Sequence, residues 1–158
     1  MLLGIAGVAS AQSSANQTVT INGTVIQAIT LSVSTSTLSL GNMVAGTPPP
    51  SISATTSPVM FTLTGNGSSV VSVTFSPVTL SGPSSSSLTF TPTVVGDSVS
   101  ANQASASPIS TGATVTLSGS NYSSANYYFW LGGSVASLPS AQTPGAYTGT
   151  FTLQVTYN

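Results

Sequence analysis

Asp97 is the only carboxylate side chain in this sequence, and Lys, Arg, His and Cys are all absent. What remains for chemistry is that one acid, five tyrosines and a large population of Ser and Thr hydroxyls. Hydroxyl nucleophiles need a neighbouring base, metal sites draw on His, Cys or clustered carboxylates, and glycoside hydrolysis takes two carboxyl groups. One chain of this composition cannot assemble any of these, so it is expected to be no enzyme and to need neither metal nor cofactor. Nucleic acids and anionic membranes are poor partners too, because both are held largely by Lys and Arg against phosphate. Asp97 follows Val94-Val95-Gly96 and reads as a turn residue.

Covalent modification is the other chemistry on offer. Asn16, Asn66 and Asn121 each begin an Asn-x-Ser/Thr triplet and are candidate N-glycosylation sites in a host with the machinery. Asn22 begins a further triplet that insertion of its strand would shield. In so Ser/Thr-rich a chain, chance alone yields several such triplets. The aromatic group Tyr122, Tyr127, Tyr128, Phe129 and Trp130 has two uses, a sugar-stacking platform or core packing. Tyr127, Phe129 and Leu131 share one face of a strand, which favours the core and turns Tyr128 and Trp130 outward as secondary contact candidates.

The elements that hold these residues follow from 158 residues that are 40% apolar and 1% charged, with a formal charge of −1. That is material for one domain with a real core. Disordered chains pair low hydrophobicity with high net charge, and this one has neither. Without charge to keep folded copies apart, the chain is suited to assembly.

From Val19 to Val33 the odd positions are apolar or small except Gln27, while the even ones are mostly Thr, Asn, Ser or Ala. Period two of this kind predicts a strand with one buried face, and its length predicts a bend or a change of partner near Val25 to Ala28. The same alternation recurs at Val59-Phe61-Leu63, Val71-Val73-Phe75, Leu88-Phe90, Val115-Leu117, Tyr127-Phe129-Leu131 and from Tyr147 to Tyr157. Between these runs stand Gly41-Asn42, Pro48-Pro49-Pro50, Gly65-Asn66-Gly67, Gly82-Pro83, Gly132-Gly133 and Pro144-Gly145. Strands punctuated at this spacing predict an all-β sandwich. Residues 1–11 are apolar and end in Ala-Ser-Ala, like the core and cleavage site of a secretory signal without its basic start, or else a retained apolar arm.

The two ends of the chain resemble pilin subunits of the chaperone–usher route. Val19-x-Ile21-x-Gly23-x-Val25 is similar to the N-terminal extension of that family, which alternates hydrophobic residues and carries an inward Gly. Tyr157 is penultimate and Gly145 is fourteenth from the C-terminus, as in that family's closing strand. Thr30 stands near the family's first disulfide cysteine, and threads built by other machinery share the same strand-exchange logic. The resemblance implies an incomplete immunoglobulin-like β-sandwich whose missing strand is lent by a neighbour.

The expected organisation is therefore a leader over 1–11, a donor-strand extension over 12–27 and a sandwich over 28–158. Val19, Ile21, Gly23, Val25 and Ile29 are the expected donor residues, and Gly145, Tyr147, Phe151, Leu153, Val155 and Tyr157 the expected walls of the acceptor groove. Identical subunits in an extracellular, cell-surface homopolymer are the implied partners, with an assembly chaperone or an outer-membrane usher as a further candidate and no membrane in the mature form. A monomeric surface adhesin or carbohydrate-binding sandwich, and a lattice protein of an envelope or virion, are the alternatives.

Overall fold

A computed structural model of the chain describes residues 17–158. The expected leader, the first residues of the extension and Asn16 lie outside the described residues. The strands are β1 (Thr30–Val33), β2 (Ser51–Ile52), β3 (Met60–Asn66), β4 (Val70–Thr74), β5 (Val78–Ser81), β6 (Ser87–Asp97), β7 (Ser107–Ile109), β8 (Thr114–Thr116), β9 (Ser124–Val135) and β10 (Gln154–Tyr157). They form two antiparallel sheets. The larger has the order β1-β3-β9-β6-β5, with β2 added to β9 and β7 to β6, and the smaller has the order β10-β4-β8. No helix among the described residues is long and apolar enough to cross a membrane.

Alternation along the strands builds the core, because every second side chain points between the sheets. Leu63, Phe90, Phe129 and Leu131 of the larger sheet meet Val71, Val73, Val115 and Leu117 around the smaller one in a single buried cluster. Leu63, Phe129, Val71, Val73 and Leu117 are fully buried.

Two departures from the sequence expectations bear on function. The predicted long N-terminal strand forms only at Thr30–Val33, paired with β3; residues 17–29 belong to no strand. Likewise the run from Tyr147 to Tyr157 is ladder only at Gln154–Tyr157, with one earlier bridge between Thr148 and Ser81. In both cases the pattern records a face that wants burial, and no strand among the described residues pairs with it.

β9 is buried on both faces. Phe129 and Leu131 point into the main core, and Trp130 lies under the 3-10 turns Ala54–Thr56 and Ser100–Ser105 with Val95 and Ala106. Gln103 ties these turns together, its Nε2 donating to the carbonyl oxygens of Ala54 at 2.9 Å and Ser57 at 2.8 Å.

Candidate assembly groove and N-terminal arm

β1 and β10 are outermost in their sheets, so each pairs on one side only. β10 pairs only with β4, and the stretch between Thr148 and Gln154 joins no ladder. Beside it runs the segment after β1, where Leu38, Leu40 and Met43 are half-buried against the core. Between these two stretches an apolar groove of about 350 Å³ reaches into the core, lined by Val33, Leu38, Leu40, Phe61, Leu80, Phe90, Leu131 and Phe151. A second trough of about 910 Å³ shares Leu38, Leu40, Leu80 and Gly149 with it and continues to Met43, Pro144 and Tyr147.

The expected wall residues occupy different parts of this region. Phe151 lines the groove and meets Phe61 and Phe75, each at a ring-centre distance of 6.1 Å. Leu153 is buried in the core, while Val155 and Tyr157 are half-buried against it. Gly145 and Tyr147 line the trough. The Tyr147 ring lies so close over Gly82 that a Cβ there would collide with it. Its hydroxyl donates to the Thr143 carbonyl at 2.7 Å and shares a 2.8 Å hydrogen bond with Ser86. The trough wall is thereby fixed on both sides.

Tyr157 sits at the other end of the molecule. Its hydroxyl accepts from the Asn66 N–H at 2.6 Å and donates to the Gln27 carbonyl at 2.8 Å. A Cβ on Gly65 would collide with that hydroxyl, so the glycine makes the contact possible. Tyr157 thus holds the root of the N-terminal arm, with help from Gln27 Nε2 donating to Ser124 Oγ at 3.4 Å.

Beyond that root the arm touches almost nothing. Residues 17–28 are all exposed, with Val19 at 85%, Ile21 at 91% and Val25 at 92% of full accessibility. Nothing lies within 4 Å of a Cβ built on Gly23. Ile29 differs from the other expected donor residues, because it packs against its own core and so belongs to the fixed root.

Two further expectations need correction. Trp130 is 2% exposed, so it offers neither a contact surface nor a sugar platform, and Tyr128 beside it is half-buried. The sequence carried no signal for the turns that cover Trp130, since they are short and built of small or polar residues, Ala-Thr-Thr and Ser-Ala-Asn-Gln-Ala-Ser. Asn66 is 4% exposed and its amide is fully engaged, donating to the Gly67 carbonyl at 3.0 Å and Ser69 Oγ at 2.8 Å and accepting from the Tyr122 N–H at 3.0 Å. It cannot carry a glycan in the folded chain. Asn121 is exposed.

Burial pushes the Tyr127 phenol above its ordinary value of 10.0, and the Asp97 carboxylate adds to the shift. Neither group faces the groove, which is lined by apolar side chains, Ser and Thr. The groove can therefore bind by burial and backbone pairing. No protein-family model matches the chain, and no curated protein matches it at a significant level.

Proposed function

We infer that this chain is a structural subunit of an extracellular filament, an incomplete immunoglobulin-like sandwich whose missing strand is the arm of a neighbouring copy. One observation carries the reading: the same chain holds an open apolar groove and an unpartnered arm whose large apolar side chains stand in water. Burying Val19, Ile21 and Val25 is worth about 1.5 to 3 kcal/mol each, before any backbone hydrogen bonds are counted. Strand addition suits such a pair, with main-chain bonds giving affinity and alternate side chains filling pockets.

Direction favours a neighbour over the chain's own groove. β1 runs from Thr30, opposite Thr64, to Val33, opposite Phe61, so the chain before Thr30 departs at the Asn66 end of β3. The groove is lined from the other end of that pair, by Val33, Val59 and Phe61, and not by Thr30, Thr64 or Asn66. An arm at one end and a groove at the other make a head-to-tail contact, which propagates as a ring or an open filament.

The test is removal of residues 12–27, followed by addition of a peptide spanning Thr18 to Ser32. The shortened chain is expected to stay folded, to lose polymerisation, and to gain stability on binding the peptide without forming polymers. Light scattering and electron microscopy of the full-length protein provide the comparison. A full-length protein that stays monomeric at high concentration, with Val19 to Val25 paired inside its own chain, would refute the filament.

A further inference from the structure

The chain contains two Asn-Gly pairs, Asn22-Gly23 and Asn66-Gly67. Both have the sequence most prone to succinimide formation, because Gly has no Cβ to obstruct attack by its own amide nitrogen on the preceding side chain. The fold treats them in opposite ways. Asn66 is buried, its carboxamide is held by three hydrogen bonds, and the Gly67 N–H is committed to the Ser123 carbonyl at 2.8 Å. Neither the electrophile nor the nucleophile can turn toward the other. Asn22 is exposed, Gly23 lies in no strand, and no neighbour stands within 4 Å of a Cβ at that position.

We propose that Asn22-Gly23 is a self-modification site that ages the free arm, and that burial of the arm in a neighbour's groove switches the reaction off. The Gly23 nitrogen gives up its proton and bonds to Asn22 Cγ. The Cγ–Nδ2 bond breaks and ammonia leaves. Water then opens the ring at either carbonyl, leaving Asp or isoaspartate at position 22. No oxidant or other reactant is needed.

The product matters because of where it forms. One new carboxylate doubles the formal charge of −1, although it stands with Thr20 and Thr24 on the face of the arm opposite Ile21 and Val25 and so outside the groove. Isoaspartate also adds a backbone methylene, which disturbs the alternation that aims Ile21 and Val25 at the same face. An arm aged to isoaspartate is therefore a poor donor. In an assembled joint the Gly23 N–H would be held in a ladder, as the Gly67 N–H is held by Ser123, and the reaction would stop. The modification site stands on the exposed arm alone; its silencing by assembly rests on the filament reading.

The experiment follows intact chain in warm, mildly alkaline buffer by mass spectrometry of chymotryptic peptides, reading the mass gain of about 1 Da at each Asn. Freshly purified soluble subunit, the same chain in urea and assembled material are compared. In the folded subunit Asn22 is expected to convert at least about tenfold faster than Asn66, with the two rates converging in urea, where the local structure protecting Asn66 is lost. Equal, slow conversion of both in the folded subunit would overturn the site. Asn22→Gln should abolish the fast reaction. Aged subunit should polymerise less than fresh subunit, whereas Asn22→Gln subunit held for the same time should not decline. If polymers form and Asn22 converts in them as fast as in the free chain, the arm is not in the joint: the silencing and the donor role both fail while the site itself stands.

Discussion

Tyr157 carries two hydrogen bonds through one hydroxyl, to the backbone of β3 and to the root of the arm, so its loss should be felt in two places. Tyr157→Phe is expected to destabilise the subunit by about 1 to 3 kcal/mol, read by denaturant unfolding, as the Asn66 N–H and Gln27 carbonyl lose their shared partner. The arm should also become more open to proteolysis near Gln27. Tyr127 offers a separate readout. Its raised value comes first from burial and then from Asp97, so its contribution to stability is intact below pH 10.0, the ordinary value, and is lost as pH rises through the higher value of the folded state. Tyr127→Phe should therefore flatten the alkaline limb of the stability profile and leave the neutral region almost unchanged. A parent and variant with identical alkaline limbs would show that the Tyr127 phenol titrates alike in the folded and unfolded chains, so that burial does not raise it.

At the scale of elements, the alternations at Val59 to Leu63, Val71 to Phe75 and Tyr127 to Leu131 are legible as strands because each has a partner strand and a core to face within the chain. The equally clear alternation from Val19 to Val25 gives no strand, because period two reports a face that wants burial and does not say which chain will bury it. The sequence likewise shows Phe151 and Leu153 as inward residues, and they are, yet it cannot place the groove's other wall. Leu38 and Leu40 alternate, but Gly41-Asn42 ends the pattern and Met43 breaks its parity; the segment joins no ladder and owes its position to the fold around it. Trp130 was hidden for a related reason, since only tertiary structure brings the turns of Gln103 and Ala54 over it. The arm's freedom leads to a clean separation of effects at Gly23. Because nothing surrounds it, Gly23→Leu should leave the melting of isolated subunit unchanged while weakening any joint it enters by about 1 to 3 kcal/mol through overpacking. A drop in the melting temperature of the monomer itself would mean that the arm packs within its own chain.

For the whole molecule, the near absence of titratable groups sets the response to its surroundings. With Asp97 the only carboxylate side chain, unfolding or depolymerisation is expected to be almost flat between about pH 2 and pH 8, because linkage needs groups that bind protons differently in the two states. A steep loss of order in that range would show that something other than side-chain charge responds to acid. An assembly of such subunits rests on burial and backbone pairing, and its central claim is that one copy's arm fills another copy's groove. The described residues hold no cysteine, and neither does the rest of the chain, so a pair of single variants tests this directly. Ile21→Cys places a thiol on the arm, Leu40→Cys places one in the groove, and the two proteins are mixed under mild oxidation. Donor-strand exchange predicts a disulfide-linked dimer of the two variants, with Thr20→Cys, on the opposite face of the arm, giving much less. No linked dimer in the mixture, together with an internal disulfide in the monomeric Ile21→Cys/Leu40→Cys double variant, would contradict it and return the arm to its own chain.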